Sequence, residues 1–232
     1  MNIAVILCGG TGSRMNQELP KQFIEINSKP LFQYSIEAFL NEKIIDYIVL
    51  VINKQYENLY QKYLNELKYR NIFMVYGGDS RQKSVENAID FLKNKISSKD
   101  LVLIHDGARP LIDSEIINSN IMKCHDTQNP VLTCVSVVDT IMDKEFNLLN
   151  RDQLIAAQTP QTFRFEQLEA IHEFSKEKNI ISASDDIQLA KAYGLNISLV
   201  SGTRKNLKVT EKEDLEIIKL YLKSRWLLWN FK

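Results

Sequence analysis

The strongest constraint on the fold is a set of short, unbroken apolar runs. Residues 3–8 (IAVILC), 47–52 (YIVLVI), 72–76 (IFMVY) and 101–104 (LVLI) contain no polar alternation and are rich in β-branched side chains. Such runs read as strands covered on both faces, as in a parallel sheet. Helical patterns lie between them. After Pro30, Phe32, Ile36, Phe39 and Leu40 share one helix face, and Val85, Ala88, Ile89 and Leu92 share another. Towards the end, Thr210 and Glu213 have the spacing of a capping box ahead of a stripe of Leu215, Ile218 and Leu222. Strand alternating with helix predicts right-handed βαβ units, and so an α/β chain with a doubly wound, mostly parallel, Rossmann-like sheet. Residues 1–232 show no linker or repeat and are read as a single domain. Residues 131–159 break the pattern. An apolar run (VLTCVSVV), a polar turn (DKEFN) and a return (LLNRDQLIAAQTPQ) predict a protruding β-arm at about 137–158.

Composition excludes several function classes. Lys+Arg and Asp+Glu are 29 each, a formal net charge of zero, which points to neither a nucleic-acid nor a membrane surface and leaves room for a local basic cluster at a phosphate substrate. Cys8, Cys124 and Cys134 are an odd, scattered set with neither disulfide nor metal-ligand spacing. The apolar opening is short and has no basic stretch before it, against a secretory leader. No window approaches the roughly 18 apolar residues that span a bilayer. The expected location is the cytoplasm.

In a doubly wound sheet the ligand sits beyond the carboxyl ends of the strands. The unusual residues fall there: Gly9–Arg14, Gly77–Arg81 and His105–Pro110. The first loop reads GGTGSRMNQELPKQ over residues 9–22. Glycine N–H groups can wrap phosphates at close approach. A Walker A loop would need G-K-[ST] where Ser13-Arg14-Met15 stand, and a dinucleotide fingerprint would need a small residue at Met15. What remains is a glycine loop with two cations, Arg14 and Lys21. That set suits a triphosphate whose pyrophosphate must leave.

The segment resembles the G-x-G-x-R-M…P-K-Q loop of sugar and polyol nucleotidyltransferases. Its PKQF ending is similar to the 2-C-methyl-D-erythritol 4-phosphate cytidylyltransferase family and the related ribitol-5-phosphate cytidylyltransferases. Four further segments fit in order: GGDSRQKSV at 77–85, HDGARP at 105–110, VVDT with RDQLIAAQTPQTF at 137–140 and 151–163, and NLKVT at 206–210. The resemblance implies a nucleotidyltransferase fold and an enzyme that moves CMP from CTP to 2-C-methyl-D-erythritol 4-phosphate. It implies Mg²⁺ as cofactor and a homodimer joined through the β-arm. Residue by residue, it implies catalytic roles for Arg14, Lys21 and Lys208. Nucleotide contacts fall to Gly9, Gly10, Thr11, Gly12, Gly78, Asp79 and Ser84, with Arg81 supporting the loop. Asp106 becomes the metal ligand and Arg109 lies beside the incoming phosphate. Thr140 and Arg151 grip the acceptor phosphate across the dimer, and Thr159, with Gln161, lies near the nucleotide.

Read without the resemblance, Asp106 is also a plausible turn residue, Arg151 a charged loop residue, and Lys208 a strand lysine facing either site or solvent. His105 reads as a structural histidine. The acceptor is divided: Cys8-Gly9-Gly10 leans to the ribitol type, whereas HDGARP and AAQTPQ lean to the methylerythritol type. Ribitol 5-phosphate is the alternative acceptor, and a non-catalytic nucleotide-binding domain a further one. The aromatic tail RWLLWNFK at 225–232 has no assignment.

Overall fold

The four apolar runs are four neighbouring strands of one seven-stranded sheet. In a computed structural model of the chain, described over residues 1–10, 19–67, 71–181 and 183–230, these are β1 (Asn2–Cys8), β4 (Tyr47–Ile52), β5 (Ile72–Tyr76) and β6 (Leu101–Asp106). The small hairpin β2 (Glu25–Ile26) and β3 (Lys29–Pro30) precedes helix α1 (Leu31–Leu40). Helices α2 (Glu57–Leu67), α3 (Arg81–Leu92) and α4 (Ser114–Thr127) follow in turn. Strands β7 (Val131–Ser136) and β8 (Ile155–Arg164) come next, then α5 (Phe165–Glu177), α6 (Asp186–Tyr193), β9 (Ser198–Ser201) and α7 (Lys212–Asn230). The strand order is β5-β4-β1-β6-β8-β7-β9. All pairings are parallel except those of β8, which runs antiparallel to both β6 and β7.

Strand parity sorts the core. Ala4, Ile6 and Cys8 of β1 face the same layer as Ile48, Leu50 and Ile52 of β4, packed under α1, α2 and α4. Ile3 and Val5 face the other layer, with Val49, Val51 and the helices α3, α5 and α6. Two covered faces explain why these strands carry no polar alternation. A third cluster seats α7, through Leu215, Ile218 and Leu222, on Ile26, Leu31 and Val209. The chain winds from β1 to β4 and β5 on one side, then returns to β6 on the other side of β1. That reversal opens a crevice at the carboxyl ends of β1 and β6.

Several expectations need correction. β5 is not buried on both faces: it is the sheet edge, and Phe73 and Tyr76 are exposed. The run at 131–136 is a strand of the central sheet, and its return rejoins the sheet at Ile155, so the arm proper is shorter than 137–158. Within it, Asp143 caps the turn by accepting from the backbone N–H groups of Glu145 and Asn147, beside a bridge between Met142 and Leu148. Residues 206–210 form no strand. The cap of α7 uses Asp214, which accepts from Thr210 and Glu211, in place of Glu213. The helix begins at Lys212, one residue later than the capping box at Thr210 required, so Asp214 rather than Glu213 is the third helical residue and reaches back to the Glu211 N–H. The side chains of the aromatic tail lie outside the described residues.

Candidate active site

The crevice holds a cavity of about 550 Å³ whose walls include Gly9, Gly10, Lys21, Gln22, Gly78, Asp79, Ser80, Arg81, Ser84, Asp106 and Lys208. Each wall has a local cause. β6 ends in His105-Asp106, and strand parity sends the two side chains to opposite faces. His105 goes under α1, its ring 5.0 Å from that of Phe39. Asp106 goes towards α3 and the cavity. The turn after it must be Gly107, because a Cβ there would lie 2.2 Å from Cys8 Sγ.

His105 is fully buried, and its hydrogen bonds define its tautomer. Nε2 lies 3.2 Å from the Arg109 carbonyl, which can only accept, so Nε2 carries the proton. Nδ1 lies 3.0 Å from Thr159 Oγ1, which itself accepts from the Asp106 N–H at 3.1 Å. The Thr159 hydroxyl therefore donates to Nδ1. Burial lowers the His105 pKa to about 4, consistent with this neutral ring.

Asp106 is ringed by cations. Lys208 Nζ lies 2.8 Å and Arg109 Nε 3.6 Å from Oδ2, while Arg81 Nε lies 3.8 Å from Oδ1. Burial works to raise the Asp106 pKa, but Lys208, then Arg81 and Arg109, outweigh it and hold the carboxyl well below the usual range. Arg81 in turn donates to Asp186 at 2.6 Å. Three cations against two carboxylates leave one surplus positive charge, a setting for an anion.

Lys208 reaches Asp106 without a strand. Its segment is pinned by the Val209 N–H donating to the Ala108 carbonyl at 2.8 Å and by Asn206, whose carbonyl accepts from Arg109 at 2.7 Å. The Asn206 side chain donates to the Thr159 carbonyl at 2.8 Å. Lys21 closes the same corner, donating to the Val209 carbonyl at 2.6 Å. Gln22 staples the glycine loop, its amide donating to the carbonyls of Cys8 and Gly10 at 2.8 Å each. Across the cavity, Ser80 caps α3 by accepting from the Lys83 N–H, while Ser84 accepts from the Gly78 N–H and donates to the Ser80 carbonyl. Burial, then the charge of Asp106, raises the Cys8 thiol, so Cys8 is a neutral wall residue and no nucleophile.

The structure thus gathers Gly9, Gly10, Lys21, Gly78, Asp79, Arg81, Ser84, Asp106 and Lys208 on one cavity. Arg109 and Thr159 sit behind it, turned to Asp106, Asn206 and His105. Gln161 is buried in the sheet. Thr140 and Arg151 belong to the arm and do not line the cavity; Arg151 donates to the Val138 carbonyl at 2.9 Å. Thr11, Gly12 and Arg14 lie outside the described residues. The sequence reading missed Gln22, Asn206, His172 and Asp186. Gln22 stood beside Lys21 in the loop motif, and Asp186 was one of two adjacent aspartates where a helix cap needs only one.

Among the described residues no three His, Cys, Asp or Glu side chains are grouped so that they could hold a metal ion by themselves. One carboxylate is enough for Mg²⁺ when phosphate oxygens and water complete the octahedron. An ionised Asp106, its Oδ1 clear of hydrogen bonds from the described residues, fits an ion that arrives with a triphosphate.

Comparison with known proteins decides the family. The profile of 2-C-methyl-D-erythritol 4-phosphate cytidylyltransferase, IspD, matches residues 2–224. The chain belongs to this family. It is a cytidylyltransferase, a nucleotidyltransferase enzyme. The 2-C-methyl-D-erythritol 4-phosphate cytidylyltransferase of Thermosipho melanesiensis is 39% identical, over 94% of this chain and 96% of its own. A ribitol-5-phosphate cytidylyltransferase of Lacticaseibacillus paracasei is 32% identical, over 97% and 99%. The crystal structure of 4-diphosphocytidyl-2C-methyl-D-erythritol synthase from Anaerococcus prevotii superposes with a TM-score of 0.80 at 28% identity, over 96% of this chain and 98% of that one. The Francisella tularensis cytidylyltransferase gives 0.80 at 27% identity, over 95% and 99%. The doubly wound fold and the cytidylyltransferase activity expected from the sequence are both borne out.

Proposed function

We propose that this cytidylyltransferase transfers CMP from CTP to 2-C-methyl-D-erythritol 4-phosphate, giving the CDP-polyol and pyrophosphate. The observation that carries the chemistry is Asp106 held between Lys208, Arg81 and Arg109 on a cavity walled by Gly9, Gly10 and Lys21. The family match and the names of its relatives support this acceptor. Ribitol 5-phosphate is the second reading, supported by the Lacticaseibacillus relative.

An oxygen of the acceptor's phosphate attacks the α-phosphorus of CTP as the bond to the bridging oxygen of pyrophosphate breaks. The nucleophile is already an anion, so no strong general base is required, and catalysis rests on positioning and electrostatics. Lys208 meets the α-phosphate, where charge spreads in the transition state. Lys21 and Arg14 offset charge on the leaving pyrophosphate. Gly9, Gly10, Thr11 and Gly12 present N–H groups to the phosphates. Gly78, Asp79 and Ser84 frame the base. Asp106 would hold Mg²⁺, which when bound neutralises triphosphate charge and orients its oxygens. Behind it, Arg109 and Thr159 support the acceptor side from within.

We further read the protein as a cytoplasmic homodimer in which the arm of one protomer brings Thr140 and Arg151 to the acceptor phosphate of the other. The exposure of the arm supports this: Phe146 is 84% exposed, flanked by exposed Val138, Met142 and Leu148. No described helix is long and apolar enough to cross a membrane. The test is pyrophosphate release from CTP and Mg²⁺ with each polyol phosphate offered alone. Release with methylerythritol phosphate supports the reading, release with ribitol phosphate alone replaces the acceptor, and silence with both overturns it.

A further inference from the structure

A buried polar group lies one layer behind the cavity, between α3, α5 and α6, and the mechanism above does not use it. Asp186 is 1% exposed. It accepts from Arg81 Nη1 at 2.6 Å on one oxygen and from His172 Nε2 at 3.0 Å on the other. His172 is itself buried, with Glu86 3.9 Å from Nδ1, and Glu86 pairs with Lys83 and Lys176 at the protein surface. Next in sequence, Gln82 ties the same start of α3 to Ser175 and to the backbone of Ile180 and Ala183. The first turn of α3 is thus moored to the α5–α6 connection by two consecutive residues.

The distances around Asp106 show what the mooring does. Lys208 and Arg109 both address Oδ2. Among the described residues Oδ1 is faced by Arg81 alone, at 3.8 Å, beyond hydrogen-bonding reach. A guanidinium placed between two carboxylates closes on whichever it can reach, and here it closes on Asp186. We propose that Asp186, braced by His172, is a positioning residue of the active site: it tethers Arg81 and keeps it from closing onto Oδ1 of Asp106, so that this oxygen stays open to the nucleotide's cation. This inference rests on the CTP reading above. Neither residue touches the cavity, so their effect on the nucleotide runs through Arg81.

The consequence is a coupling that a purely structural pair would not show. Without the Asp186 charge, Arg81 swings about its stem and pairs with Asp106, whose second oxygen is then occupied. Removing Arg81 first abolishes that route.

The test is a double-mutant cycle read by calorimetric binding of CTP with Mg²⁺, with thermal melts alongside. Asp186→Asn is expected to weaken CTP binding roughly 10- to 100-fold, the range for residues that orient a metal ligand. In an Arg81→Met background the same change should add less than about twofold, the margin for independent sites. His172→Gln is expected to give a smaller loss in the same direction, again absent in the Arg81→Met background, and serves if Asp186→Asn does not fold. Equal losses in both backgrounds would overturn the proposal. So would a lowered melting temperature with unchanged CTP affinity. A wild-type chain that binds no CTP would instead overturn the function reading, an outcome distinct from an additive cycle.

Discussion

Replacing Asp106 by Asn removes one negative charge from beneath three positive side chains and leaves the volume almost unchanged. The cations do not suffer equally. Lys208 is 39% exposed and can turn to water, so its lost pairing is heavily screened. Arg109 is 11% exposed and its Nε has no hydrogen-bond partner among the described residues even with the carboxylate present. Stripping the counter-charge from a buried cation costs about 3–5 kcal/mol, and the screening of Lys208 argues for the lower end, about 3 kcal/mol. For a chain of this size that lowers Tm by about 6–12 °C. Lys208→Gln should do the opposite of symmetry: Asp106 keeps two arginines, one like charge leaves the cluster, and Tm shifts by less than about 2 °C. Both variants should lose about 10²–10³ in turnover. Differential scanning calorimetry with a pyrophosphate-release assay reads both effects. Equal Tm changes in the two variants would refute the assignment of Arg109 as the dependent cation. Acid cannot replace the substitution. A carboxylate with a depressed pKa contributes its full stability above its ordinary value of about 4, and loses it progressively from there until pH has fallen past the far lower folded value.

Lys21→Ala should lower pyrophosphate release by about 10²–10³ with a near-native far-UV spectrum, and near-normal activity would remove Lys21 from the mechanism. His105 is neutral in the fold with a pKa of about 4, below its unfolded value near 6.5. The unfolded chain therefore binds the extra proton first, and stability present above about 6.5 falls by up to about 3 kcal/mol as pH drops to about 4. Melts across that window should show the slope in wild type and lack it in His105→Gln. Phe146→Asp on the arm should shift sedimentation from dimer to monomer at micromolar concentration, and an unchanged dimer would place the subunit contact elsewhere.

Much of the sheet was legible because its strands are covered twice and so cannot afford polar alternation. The same signal misread β5, since an apolar run such as IFMVY reveals nothing of whether a further strand or helix lies beyond it. The cavity wall was legible where chemistry and position coincide, as at Asp106 and the glycines after β1 and β5. It was silent where a residue works through the backbone. The resemblance alone singled out Thr159 and Arg109; in the fold Thr159 accepts from the Asp106 N–H at the end of β6, and Arg109 donates to the Asn206 carbonyl. Lys208 was placed on a strand by its apolar neighbours, Leu207 and Val209. Those two instead bury against α7, leaving the lysine to span the gap to Asp106. His172 gave no local signal and Asp186 only its place beside the cap Asp185, because the partners of Asp186 stand 105 and 14 residues away in sequence.

The parting of His105 and Asp106 to opposite faces of β6 makes the strand's residue count a functional quantity. Deleting one residue among Leu101–Ile104 would leave an equally apolar strand, able to pair with β1 in a shifted register. It would also exchange the last two side chains. The imidazole would enter the cavity, and the carboxylate would be thrust against Phe39 and the helix above it. Loops on either side of this strand can lengthen one residue at a time; the strand itself can change only in pairs.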